Sequence, residues 1–194
     1  MTDKDLLVLG FDTSGRHCAA ALLRGDTVLV ARSEEMARGQ AERLMPLLEE
    51  VLAEGGVTWS DLDVIGVGVG PGNFTGIRIS VSAARGLALA LEAPAVGVST
   101  FEATSLDVEG DHIAGVEAPR GQVYICAPGG SPGLEAEPPT DGPQLVLPPN
   151  PATLAVNIAR IAATRRGETA RPAPLYIKAA DAAPPRDPAP VILR

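Results

Sequence analysis

Aromatic side chains are scarce in this sequence: Phe, Trp and Tyr make up 3% of 194 residues. That leaves no surplus for stacking bases. Basic charge is short as well, with 16 Lys and Arg against 24 Asp and Glu and a formal net charge of -8. Affinity for a nucleic-acid backbone comes from neutralising phosphates, so a chain of this sign is not expected to hold RNA unaided. The two histidines, His17 and His112, are far apart and belong to no HxxxH or HExxH pair, so no histidine metal site is expected. The two cysteines, Cys18 and Cys126, form no CxxC pair, which argues against a zinc cluster and a disulfide framework. A reducing compartment suits them, and the expected location is the cytoplasm. No apolar run is expected to reach the length that spans a bilayer, so no membrane partner is expected. Neither Ser14 nor Ser99 lies in a GxSxG elbow.

What is present is an ordinary globular balance of 45% hydrophobic and 21% charged residues, with 21 Gly and 18 Pro. Burial therefore falls to Ala, Val, Leu and Ile packed closely through small residues. Leu6 to Phe11 reads as a buried strand running into Asp12-Thr13-Ser14-Gly15, followed by strands at Cys18 to Leu23 and Thr27 to Ala31. Arg38 to Glu54 changes to a helical period, closed by Gly55-Gly56, with Pro46 either in the first turn or at a kink. Asp63 to Val69 is a further strand, and Gly70-Pro71-Gly72-Asn73 leads into a helix over Phe74 to Leu91. That helix is apolar nearly all round, so it is expected to bury more than one face. A strand at Ala95 to Val98 and a short helix capped by Ser99 follow. Beyond Gly110 the pattern predicts strands at His112 to Glu117 and Gln122 to Ala127 joined at Ala118 to Gly121. A loop over Pro128 to Pro143, a strand at Gln144 to Leu147 and a helix from an Asn150 cap to about Arg166 complete it. The tail from Asp181 is Pro-rich.

Two segments could carry chemistry. Asp12-Thr13-Ser14-Gly15 between apolar strands reads either as a polar β-turn or as a phosphate-binding hairpin, with Asp12 near a metal-bound phosphate and Thr13 and Ser14 near its oxygens. Gly70 to Arg78 puts free amides and a positive helix end at one point, which suits an anion but serves equally in a turn without ligand. It is neither a Walker A loop nor a dinucleotide GxGxxG.

Asp12-Thr13-Ser14, the Gly70 to Arg78 block, Gly97-Val98-Ser99-Thr100, Gly121-Gln122-Val123-Tyr124 and Pro174-Leu175-Tyr176-Ile177-Lys178 together resemble the TsaB (YeaZ) family. The likeness is strong over residues 6 to 106 and thins to islands after that. It implies an α/β actin-like ATPase (ASKHA, ribonuclease H-like) fold of two lobes, the second reduced. The expected division is residues 1–107, carrying the partner-binding helices, and 108–194, with the Pro-rich tail. The resemblance further implies a non-catalytic partner in the synthesis of threonylcarbamoyladenosine on tRNA. Such a subunit binds and activates the metal-bearing TsaD-type relative, self-associates as a homodimer by the same surface, is joined by a small TsaE-type ATPase, and meets tRNA only indirectly.

On that reading no residue is catalytic and none binds metal, and no cofactor is required, although ATP or ADP can sit at the partner junction. Asp12, Thr13, Ser14, Gly70, Gly72 and Thr75 are the candidate phosphate or nucleotide contacts. Leu44, Leu48, Arg78, Ser82, Ala84, Arg85 and Ala88 are the candidate partner interface. Gln40, Glu117 and Pro119 depart from the His, Asp and Arg that many relatives carry. The alternative is an actin-like ATPase or phosphotransferase acting alone, with Asp12 as its magnesium-side carboxylate.

Overall fold

The computed structural model describes residues 6–167 and 170–177. In chain order the elements are β1 (Leu7–Asp12), β2 (His17–Arg24), β3 (Thr27–Glu35), α1 (Gln40–Glu54), β4 (Val64–Gly68), α2 (Phe74–Leu91), β5 (Ala95–Val98), α3 (Thr100–Ser105), β6 (His112–Glu117), β7 (Val123–Cys126), β8 (Gly133–Glu135), β9 (Gln144–Val146) and α4 (Pro151–Thr164). A five-stranded sheet has the order β3-β2-β1-β4-β5, and a four-stranded sheet the order β8-β7-β6-β9. In the first, β1 runs antiparallel to β2 and parallel to β4, and β4 runs parallel to β5.

Because side chains alternate across a strand, β1 must be covered twice. Leu7, Leu9 and Phe11 face one layer, where Leu44, Leu47, Leu48 and Val51 of α1 and Ile77, Val81 and Ala84 of α2 meet them. Val8 faces the other, against Leu154, Ala155, Ile158, Ala159 and Ala162 of α4. Gly10 and Gly66 stand opposite each other in the β1–β4 register and make that side flat. A Cβ at Gly10 would lie 2.5 Å from the Ala155 carbonyl oxygen, and one at Gly66 2.9 Å from the Ala162 Cβ. Close approach through glycine and alanine replaces the bulk that aromatic residues would otherwise supply.

The packing does not follow the expected division between residues 107 and 108. α4 lies on the first sheet because its broad apolar face is the cover that β1, β2 and β4 need, and residues 170–177 also return to the first layer. Among the described residues, a small cluster around Phe101, Ala114 and Val116 packs the second sheet.

Other differences are local. β3 runs on to Glu35 rather than stopping at Ala31, since β2 offers partners along that whole length. α1 starts at Gln40, after Gly39 at φ +89°, and Pro46 lies inside it on the exposed side. A short strand, β8, interrupts the expected Pro128–Pro143 loop by pairing with β7. By length and composition alone, the 18-residue α2 is also apolar enough to cross a membrane, contrary to expectation. Here its inner face packs on the sheet. The tail from Asp181 lies outside the described residues.

Gly10→Ala should lower the unfolding free energy by about 1–3 kcal/mol through overpacking against α4. Gly86→Ala, on α2 with nothing near its added Cβ, should raise it by roughly 0.5–1 kcal/mol. Urea denaturation of the two variants checks the contrast, and equal effects would contradict the placement of α4.

Candidate functional site

At the end of β1 the Asp12 side chain is fully buried. Its Oδ2 accepts from the Ser14 amide (3.0 Å), the Ser14 hydroxyl (2.9 Å) and pairs with His17 Nε2 (2.7 Å). Its Oδ1 has no hydrogen-bond partner and lies against Gly68, where any Cβ would collide with it. The Thr13 hydroxyl donates to the Gly76 carbonyl (2.7 Å), and the Asn73 amide donates to the Ser14 carbonyl (2.6 Å). The β1–β2 hairpin is thereby clamped to the first turn of α2. Gly72 and Gly76 permit this, because side chains there would strike the Ser14 and Thr13 backbones.

The glycine-rich turn is equally committed. Asn73 Oδ1 caps α2 by accepting from the Thr75 (3.0 Å) and Gly76 (3.3 Å) amides. Thr100 donates from its amide to the Gly70 carbonyl (2.8 Å) and from its hydroxyl to the Pro71 carbonyl (3.2 Å). Asp12, Thr13, Ser14, Gly70, Gly72 and Thr75 are therefore brought together as expected, but in a closed knot. The Thr13 and Ser14 hydroxyls and the Ser14, Thr75 and Gly76 amides are all spent inside the protein. A carboxylate already fills the anion's place. The hydroxyls expected to contact a phosphate are engaged within the protein, while Asp12 Oδ1 is buried without a partner.

In parallel sheets ligands favour the crevice at the carboxyl ends of the strands. Here that crevice is a cavity of about 830 Å³ bordered by Ser99, Phe101, Glu102, Cys126, Arg165 and Leu175. Glu102 Oε2 accepts from the Ser99 amide (2.8 Å) and hydroxyl (2.7 Å), while Oε1 pairs with Arg165 (2.6 Å). Burial pushes the Glu102 carboxyl up, but these partners outweigh it and hold it below its usual range. Burial, aided by Glu102, pushes the Cys126 thiol up, and burial with Glu34 and Asp12 pushes Cys18 up to about 12. Neither thiol has the lowered pKa of a nucleophilic cysteine.

The outer surface of α1 and α2 is different in kind. Ala41 and Met45 of α1 and Thr75, Arg78, Ile79, Ser82 and Ala83 of α2 border a groove of about 390 Å³, with Leu44 at its floor. α1 is fixed beneath it by Arg43, which reaches Glu34 on β3 and Glu50 and holds both carboxyls below their usual range. Of the expected interface residues, Arg78, Ser82 and Arg85 are exposed and Ala88 is half-buried. Leu44, Leu48 and Ala84 are at most 1% exposed, because they are the side chains that pack the helices onto the sheet. Leu48 and Ala84 are closed off from a partner while Leu44 only floors the groove, and an Arg at position 84 would disrupt the core rather than an interface. Met45, 37% exposed, is the residue missed. Its signal was an apolar side chain four residues after Ala41 on the face that also carries Glu42 and Glu49.

The family model TsaD: tRNA N6-adenosine threonylcarbamoyltransferase matches residues 32–131, just over half of the chain. The TsaB protein of Escherichia coli K12 is 34% identical over 122 residues, 60% of this chain and 52% of that protein. That of Bacillus subtilis 168 is 36% identical over 124 residues, 61% and 53% respectively. This chain belongs to the TsaB (YeaZ) family. It spans about half the length of the curated TsaB relatives it matches. YeaZ from Pseudomonas aeruginosa superposes with a TM-score of 0.67 at 24% identity, covering 88% of this chain and 99% of that one. A second structure from that organism, titled as similar to peptidase YEAZ, gives 0.69 at 25% identity over 89% and 100%. The fold is that of the YeaZ structures, an α/β arrangement of two mixed sheets with helices.

If the hairpin is closed as described, millimolar ATP or ADP should leave the melting temperature of the isolated chain unchanged. A ligand present at 100 times its Kd would add about 2.7 kcal/mol, so a clear upward shift would contradict the closed hairpin.

Proposed function

We propose that this chain is the non-catalytic partner subunit in N6-threonylcarbamoyladenosine synthesis on tRNA, binding and activating a TsaD-type catalytic subunit in the cytoplasm. The observation that carries the reading is the exposed, partly apolar α1–α2 face beside a hairpin whose Thr13 and Ser14 hydroxyls and Ser14 amide are committed. The curated relatives are named tRNA threonylcarbamoyladenosine biosynthesis proteins, which supports the pathway. The net charge of -8 supports an indirect relation to tRNA. Among the described residues no group of three His, Cys, Asp or Glu is placed to hold a metal ion. On this reading the transfer chemistry is assigned to the partner.

On this reading the chain's contribution is a surface held in shape before binding. Leu44, Leu47, Leu48 and Val51 lock α1 to the sheet and Ile77, Val81 and Ala84 lock α2, so little ordering remains to be done when the partner arrives. The same face is the one we assign to a homodimer when the partner is absent. A TsaE-type ATPase and any ATP or ADP belong at the junction of the assembled pair, with the nucleotide's phosphates held from the partner's side.

Ser82 is exposed in the middle of the groove, so Ser82→Arg should abolish the complex with a TsaD-type subunit in size-exclusion light scattering while the melting temperature stays within a few degrees. Undiminished complex formation by Ser82→Arg would refute this face. Failure of the unaltered chain to bind would refute the partner role.

A further inference from the structure

Residues 170–177 return from the end of α4 and lie as a strap across the first layer. The Leu175 amide donates to the Val69 carbonyl just past β4 (2.8 Å), and Leu175 joins the core on that side. Pro172 is buried against Gly97 of β5. From this anchored position the strap holds two side chains of α2. Arg85 Nε donates to the Pro172 carbonyl (2.8 Å), and Arg78 Nε donates to the Tyr176 hydroxyl oxygen (2.8 Å). The Arg78 guanidinium also lies 3.9 Å over the Phe74 ring, and the Phe74 and Tyr176 rings are 5.1 Å apart.

Three points make this more than a tail contact. Arg78 and Arg85 are the cations of the exposed stripe of α2, a helix with no Asp or Glu between Phe74 and Leu91. Arg78 borders the α1–α2 groove. Phe74 and Tyr176, 44% and 43% exposed, place two of only six aromatic residues on the surface against Arg78. Aromatic and Arg side chains are the enriched anchors of protein interfaces. A free Arg loses rotamer entropy on being fixed by a partner, and one already held loses less.

We propose that the strap is a positioning element of the partner face. Tyr176 sets the direction of Arg78, and the Pro172 carbonyl sets that of Arg85, so that both guanidiniums meet carboxylates flanking an apolar helix that the partner lays in the groove. The occupant is committed by charge, since α2 presents Arg78 at the groove and Arg85 two turns further along, and carries no Asp or Glu. The inference rests on the partner role proposed above.

The test is titration calorimetry of the full chain against the TsaD-type subunit, using the unaltered chain, Tyr176→Phe, Arg78→Ala and the double variant, with melting temperatures for each. Tyr176→Phe keeps the ring and removes the oxygen that holds Arg78. It should weaken binding about tenfold, equivalent to about 1.4 kcal/mol, with no change in melting temperature. In the Arg78→Ala background it should change nothing further, because Tyr176 acts through Arg78. Three results would overturn the proposal: unweakened binding by Tyr176→Phe, an equal loss in both backgrounds, or a loss matched by a fall in melting temperature. No binding by the unaltered chain would remove the partner role itself, a result distinct from all three.

Discussion

A carboxylate buried at the end of a central strand has to be satisfied from inside the protein, since an unpaired buried charge is too costly to keep. Asp12 meets that constraint at Oδ2 alone, which takes the Ser14 amide, the Ser14 hydroxyl and His17, while Oδ1 has no partner. Much else follows from it. With Ser14 turned inward, its carbonyl is free to receive the Asn73 amide, and Thr13 reaches the Gly76 carbonyl. The hairpin and the head of α2 thus become one rigid corner. An anion-binding arrangement in outline serves here as a structural joint that supports the two helices of the proposed partner face.

Scarcity of aromatics sets the second constraint. A core of Ala, Val, Leu and Ile has to gain its contacts by closeness, and the Gly10 and Gly66 flat on which α4 rests provides it. The cover for the first sheet therefore comes from the far end of the chain. The strap repeats the theme on the opposite layer, where it ties the crevice at the strand ends to the exposed arginines of α2. The N-terminal layer is covered by α4 on one side and tied by the strap on the other.

The sequence was most legible where a signal is local. α2, β5 and β6 begin and end where periodicity and turn residues place them, and the caps at Ser99, Asn73 and Asn150 do what Ser and Asn do at helix starts. The 118–121 hairpin and the Gly70–Asn73 turn were readable for the same reason. Three things were not. Whether the donors of Thr13 and Ser14 are free or spent depends on Gly76 and Asn73, some 60 residues away. Which apolar stripe of α1 faces the sheet depends on docking, so Leu44 and Leu48 were assigned outward when Ala41 and Met45 are the outward pair. The docking of α4 onto β1 was hidden because an apolar helix face does not say which sheet it will cover.

The central claim is that this chain works through the α1–α2 face and not through its hairpin. Its most direct test is threonylcarbamoyladenosine formation in a reconstituted mixture of tRNA, threonine, bicarbonate, ATP and the other pathway proteins. The chain would be supplied unaltered, as Ser82→Arg, as Asp12→Asn, or omitted. The account predicts product with the unaltered chain and with as much Asp12→Asn as remains folded, and little or none with Ser82→Arg or without the chain. Equal product without the chain, or with Ser82→Arg, would contradict it.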